Sequence, residues 1–241
     1  MNIKRAFSII FFFSLIIACK PTYSISETEK KNTRVDHIQQ DQEFQDLIKP
    51  YTKELKHKTE EILAYTPEDL TKQNYNLQNV FADITYEESD ILFKALYQKD
   101  IDFVLINKGG LRTIIPQGAI TIGNIYEVMP FDNKIVVVGL RGEKMLALLS
   151  YLASKPQPIS HLKVTRKENR VTEAVINGKP FDFDTTYYVV TNDYLQGGGD
   201  NMFFFKNAEE VYPLNILARD MYLNYFKKID TLSINKTIRY Q

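Results

Sequence analysis

A chain of 241 residues can bury a sizeable core, in one large domain or two small ones. Lys plus Arg and Asp plus Glu number 30 each, so no net field recruits nucleic acid or an acidic surface. With 44% hydrophobic residues the body reads as globular, and a single cysteine excludes a disulfide framework.

The first segment reads as a targeting signal. Lys4 and Arg5 precede the apolar run Ala6 to Ala18, which is too short for a membrane span of about 20 residues but suits a signal peptide. The run ends Ile16-Ile17-Ala18-Cys19, which resembles the lipobox of bacterial lipoproteins. Residues 1–19 are therefore expected to form a lipoprotein signal with Cys19 as the lipidated residue; a secretory signal with an incidental cysteine is the alternative. Lys20 is not a retention signal of the Asp type, so anchoring in the outer membrane is expected, on either the periplasmic or the surface face. Residues 20–43 are polar and read as a solvated tether, leaving 44–241 as the folded domain.

Phe44, Leu47, Ile48, Tyr51, Leu55, Ile62 and Leu63 fall on one helical stripe, which Thr66-Pro67-Glu68-Asp69 breaks. NLQNVFADI and ESDILFKALYQ predict two helical pieces, followed by a short apolar strand over 101–106. A strand is predicted at 134–140, a helix at 142–154 and a two-residue hairpin turn at Asn177-Gly178. YYVVTN predicts another strand, and 213–228 an amphipathic helix with proline at its start. Strands and helices alternate while the hairpin breaks a pure βαβ pattern. The fold class is thus α/β (α+β), a layered domain with a mixed sheet and flanking helices. No internal repeat is present.

GGGD after a strand suggests a phosphate-binding turn, but neither GxGxxG nor GxxxxGK[ST] occurs, which excludes the common nucleotide-binding loops. His37, His57 and His161 stand apart and form no metal-ligating spacing, so they read as solvated surface residues. What remains lies on strand-end loops: Asn107 and Arg112 around Gly109-Gly110, Phe131 in MPFDN, and Tyr194, Gly198 and Asp200 about the triple glycine. An amide, a guanidinium, two aromatics and a carboxylate make a candidate small-molecule site. A core phenylalanine at Phe131, a buried Tyr194 in a simple Gly-rich turn, and loop-stabilising roles for Asn107 and Arg112 stay open.

N-x-GG-[IL]-R at 107–112, G-x-IT-x-G-x-x-Y-x-x-x-PF-x-N at 118–133 and Y-x-V-x-TN-x-[FY]-x-x-x-GGD at 187–200 stand in order along the chain. Together they resemble the C-terminal domain of the 5′-nucleotidase family, with NLQNVFADI similar to a degraded LGN-x-x-AD segment. The resemblance implies that Phe131 and Tyr194 sandwich a base and that Asp200 accepts from ribose hydroxyls. It further implies Arg112 on the ribose and phosphate side, Asn107 at the base or sugar edge, and glycines that let Tyr194 and Asp200 face one ligand. Lys72 is the only cation where the family often places a basic residue, and Tyr194 replaces the more usual Phe.

The family's metal-binding segments, D-x-H, G-N-H-[DE] and G-H-x-H, are absent from this sequence. No catalytic residue, metal ligand or cofactor is expected on this chain, and divalent metals are expected only in a partner phosphatase. The resemblance therefore implies the nucleoside- or nucleotide-recognition subunit of a split 5′-nucleotidase at the cell envelope, with hydrolysis by a separate metallophosphoesterase chain. The alternatives are a non-enzymatic nucleoside- or nucleotide-binding lipoprotein and a vestigial scaffold.

Overall fold

The structure, a computed structural model, describes residues 24, 27–32 and 41–241. Cys19, the rest of the segment read as a signal and most of the segment read as a tether lie outside the described residues. The chain divides into two units, 1–47 and 48–241, and the second carries the sheets.

The elements run α1 (Gln42–Thr59), β1 (Ile62–Thr66), α2 (Asn76–Tyr97), β2 (Phe103–Leu105), β3 (Gly118–Thr121), α3 (Ile122–Val128), β4 (Lys134–Leu140) and α4 (Gly142–Ser154). They continue with β5 (Ile159–Ser160), β6 (Leu162–Lys167), β7 (Arg170–Ile176), β8 (Lys179–Pro180), β9 (Tyr187–Asn192), α5 (Asp193–Gln196), β10 (Glu210–Leu217) and α6 (Ala218–Phe226).

The run in β4 dictates the layering. Ile135 and Val137 enter one core, while Val136, Val138 and Leu140 enter another. A strand apolar on both faces needs a cover on each side. The central sheet has order β10-β4-β9-β2-β5, with β2 and β9 parallel and every other pairing antiparallel. On one face lie α2, α3 and α6 with Phe81, Phe93, Ile125 and Met221. On the other lie α4 and the small sheet β6-β7-β8, with Met145, Leu148, Val164 and Phe205. β1 and β3 form a separate antiparallel pair. The architecture is the expected mixed α/β layering.

Strands 134–140 and 187–192 and helix 142–154 stand where the apolar patterns put them. Asn177 at φ 47° and Gly178 at φ 75° make the predicted hairpin turn between β7 and β8. Three expectations are corrected. The two helical pieces are one helix, α2: Thr85, which separates them, donates from its hydroxyl to the Phe81 carbonyl at 2.7 Å and meets the Tyr222 hydroxyl at 2.9 Å. A polar residue so satisfied does not break a helix. Burial pushes the Tyr222 phenol up to about 12.

The predicted helix over 213–228 is half strand. Pro213 sits in β10, opposite Val136, and the helix begins only at Ala218. β10 is an edge strand, where a missing N–H is tolerated, so proline marks an edge here rather than a helix start. The stripe from Phe44 to Leu63 is also divided. Helix α1 ends at Thr59 and buries none of its residues, while Ile62 and Leu63 belong to β1. His161 is exposed, as expected of a surface residue, and stacks on Tyr86 with ring centroids 3.4 Å apart.

Candidate functional site

The topology brings three loops to one edge of the central sheet. β2 and β9 are parallel, so the segments leaving them, 107–112 and 193–200, emerge side by side. β4 is antiparallel to β9, with Ile135 opposite Asn192, so the 129–133 loop enters at that same edge. Crevices beyond the carboxyl ends of parallel strands are where sheets of this class hold ligands.

Asp200 is the hub. Its Oδ1 accepts from the Tyr194 hydroxyl at 3.0 Å and its Oδ2 from Asn107 Nδ2 at 2.7 Å. Its own N–H donates to the Tyr194 oxygen at 3.2 Å, and its carbonyl accepts from the Tyr151 hydroxyl at 3.0 Å. Burial, helped by the charge of Asp200 and by Tyr194, holds the Tyr151 phenol above its ordinary value. A carboxylate offers about four acceptor positions, so two filled ones leave room for ligand hydroxyls.

The three glycines serve separate purposes. Gly198 alone takes a left-handed φ, 91°, and the non-glycine residues Asp200 and Asn201 follow it at 53° and 63°. Gly199 lies under the Tyr194 ring, where a Cβ would fall 2.5 Å from two ring carbons. Gly197 needs neither freedom. The run thus supplies a turn at one glycine and a close approach at another. Gly110 answers a similar need, since a Cβ there would fall 2.9 Å from Asn107 Oδ1.

Arg112 and Phe131 form a second group. The Arg112 guanidinium stands 6.0 Å from the Phe131 ring centroid and donates to the Gly109 carbonyl at 3.3 Å. Gly109 in turn lies beside Asp200, a Cβ there being 3.9 Å from Oδ2, so the 107–112 loop joins the two groups. Lys72 belongs to the same positive region: burial first, then the charges of Arg112 and Lys108, hold its ammonium below the usual lysine range. Phe131 is 40% exposed and Tyr194 48%, so neither ring belongs to the core.

Two supporting residues escaped the sequence reading. Arg219, on α6, pairs with Asp132 and donates to the Phe131 carbonyl at 3.3 Å, which pins the loop that carries Phe131. Tyr151 reaches Asp200 from α4. Each acts across a separation, 88 and 49 residues, that no local pattern encodes. Among the described residues no group of three or more His, Cys, Asp or Glu side chains could hold a metal ion.

The model of the 5′-nucleotidase C-terminal domain matches residues 57–207, well over half of the chain, and takes in every loop just described. The chain belongs to the 5′-nucleotidase C-terminal domain family.

Among curated relatives of this 5′-nucleotidase-type domain, the trifunctional nucleotide phosphoesterase protein YfkN of Bacillus subtilis is 26% identical over 234 residues, 85% of this chain and 16% of that protein. A 5′-nucleotidase of Vibrio cholerae is 31% identical over 105 residues, 41% of this chain and 19% of that one. The cell wall protein Lmo0130 of Listeria monocytogenes is 33% identical over 146 residues, 53% and 18%. The 5′-nucleotidase precursor of Thermus thermophilus shares the fold with a TM-score of 0.69 at 23% identity, over 82% of this chain and 42% of that one. The chain thus spans well under half the length of each of these proteins.

Proposed function

We propose that this chain recognises nucleosides and 5′-nucleotides at the cell envelope, as the substrate-binding part of a 5′-nucleotidase whose metal-dependent phosphoesterase is a separate polypeptide. The observation that carries the reading is the Asn107–Asp200–Tyr194 network, joined through the 107–112 loop to the Arg112–Phe131 pair. A base between the Phe131 and Tyr194 rings would gain about 1–3 kcal/mol per stacking contact, with tolerance for different bases. The open acceptor positions of Asp200 suit ribose hydroxyls, while Lys72 and Arg112 supply positive charge for the 5′-phosphate. The relatives' names, a nucleotide phosphoesterase and a 5′-nucleotidase, support a nucleotide ligand. A lipid on Cys19 would hold the domain at the membrane, and the name of the Listeria relative supports an envelope setting.

The test is hydrolysis of AMP by the phosphatase that crosslinks to this chain in cells. The wild-type chain should accelerate it and Tyr194→Ala should not; equal rates with the two would contradict the proposal. A chain that binds adenosine yet crosslinks to no phosphatase would instead be a capture protein.

Arg219→Ala should loosen the Phe131 loop without removing any contact to the ligand. Reordering that loop on binding would cost about 1 kcal/mol, so adenosine affinity should fall about fivefold. Titration calorimetry would read this, and unchanged affinity would mean that the loop holds its shape unaided.

A further inference from the structure

A cavity of about 290 Å³ adjoins the 107–112 loop. Lys108 lines it, while its neighbour Asn107 faces the candidate nucleoside site. The other walls are the start of α2, the 156–159 segment, Arg166 on β6 and residues 236–240. Four cations line it, Lys108, Arg166, Lys236 and Arg239, and no carboxylate does.

Two of those charges are already matched, Lys236 by Glu68 and Arg239 by Asp83. Lys108 and Arg166 have no ion-pair partner among the described residues. The Arg166 guanidinium is held in place, donating to the Ala153 carbonyl at 2.9 Å and lying 6.0 Å from the Tyr240 ring centroid. Tyr240 is fixed in turn, its hydroxyl donating to the Gln157 carbonyl at 2.7 Å and accepting from the Gln157 N–H at 3.0 Å. The start of α2 adds the positive end of a 22-residue helix with no acidic residue in its first turn. Gln78 in that wall is 3% exposed, and its Oε1 has no hydrogen-bond partner. Ile159, Pro156 and Ile238 supply apolar surface beside the charges.

We propose that this cavity is a second binding site, for a small phosphorylated polyol such as a sugar phosphate, with the phosphate on Lys108 and Arg166. The guanidinium fork and the ammonium suit a phosphate dianion, the Asn74 and Asn79 amides in the wall suit hydroxyls, and the volume admits only a small molecule. The site does not depend on the nucleoside reading, because its cations other than Lys108 lie outside the loops that carry Phe131, Tyr194 and Asp200.

The experiment is calorimetric titration of the full chain with ribose 5-phosphate, with inorganic phosphate and ribose as separate arms. Ribose 5-phosphate should bind the wild type and Arg112→Gln equally, and adenosine at saturation should not displace it. Arg166→Gln, and separately Lys108→Gln, should weaken it at least about tenfold, as loss of a charge-assisted phosphate contact does. Both positions are exposed, and each variant's melting temperature would verify its fold. No binding of ribose 5-phosphate at about 10 mM would overturn the proposal. So would binding that Arg112→Gln abolishes and Arg166→Gln spares. Binding of inorganic phosphate as tight as that of the sugar phosphate would overturn the polyol assignment. The failure of adenosine to bind would bear on the nucleoside reading alone.

Discussion

Asp83→Ala is expected to destabilise the fold by about 3 kcal/mol and to lower the melting temperature by roughly 6–12 °C. Arg239, 7% exposed, donates to Asp83 Oδ2 and to the Ile159 carbonyl, while the Ser160 hydroxyl donates to Asp83 Oδ1. One carboxylate thus ties α2 to β5 and to the segment at 239. Its removal leaves a guanidinium out of water with no counter-charge, and breaking such a pair by taking one partner costs about 3–5 kcal/mol. The low end applies because the Asp83 side chain keeps 19% of its exposure. Asp83→Ala combined with Arg239→Met should recover most of the loss, since no isolated charge then remains. Urea denaturation of the two variants and the wild type measures this; a loss below about 1 kcal/mol for Asp83→Ala would show that water replaces the carboxylate.

Gly199→Ala should separate binding from stability. The backbone of Gly199 lies outside the left-handed region, so alanine meets no strain there, and its narrower unfolded ensemble favours folding by about 0.4–1 kcal/mol. The new methyl would fall 2.5 Å from Tyr194 Cε1 and Cζ, so the ring must leave its seat and its hydrogen bond to Asp200. If Tyr194 stacks on the base, the variant loses that contact, about 1–3 kcal/mol or roughly 5- to 150-fold in affinity. A melting temperature at or near the wild-type value together with weakened adenosine binding is the expected pair of results. Wild-type affinity would show that the position of the Tyr194 ring does not matter to the ligand.

The parts of the fold legible in the sequence are those with one dominant local signal. β4 and β9 are apolar on both faces, α4 carries an unbroken helical period, and Asn177-Gly178 has few alternatives to a turn. Where tertiary contact decides, the local signal misleads. Thr85 and its neighbours look like a break in α2 until the Tyr222 hydroxyl is seen to meet it from another helix. Pro213 resembles a helix start until β10 is placed at the sheet edge. β1 and β3 are too short to show an alternating pattern, and only their mutual pairing defines them.

The candidate site was legible as three loops, because glycine, aromatic and charged residues recur at loop positions. Its wiring was not. That Asp200 is held by both Tyr194 and Asn107 depends on two strands running parallel, and that Arg219 pins Phe131 depends on where α6 lies. Neither relation has a trace in spacing. The triple glycine shows the limit plainly, since identical residues serve a turn at Gly198 and a ring contact at Gly199.

The most direct measurement is a thermal-shift and calorimetric titration of the chain with adenosine and AMP, alongside Phe131→Ala and Tyr194→Ala. Ligand at about 100 times its dissociation constant should stabilise the wild type by roughly 2.7 kcal/mol. Each variant should lose most of that stabilisation while keeping its own fold, because both rings are surface residues. A wild-type chain that responds to neither ligand, or variants that respond as the wild type does, would contradict a nucleoside clamp built on these two rings.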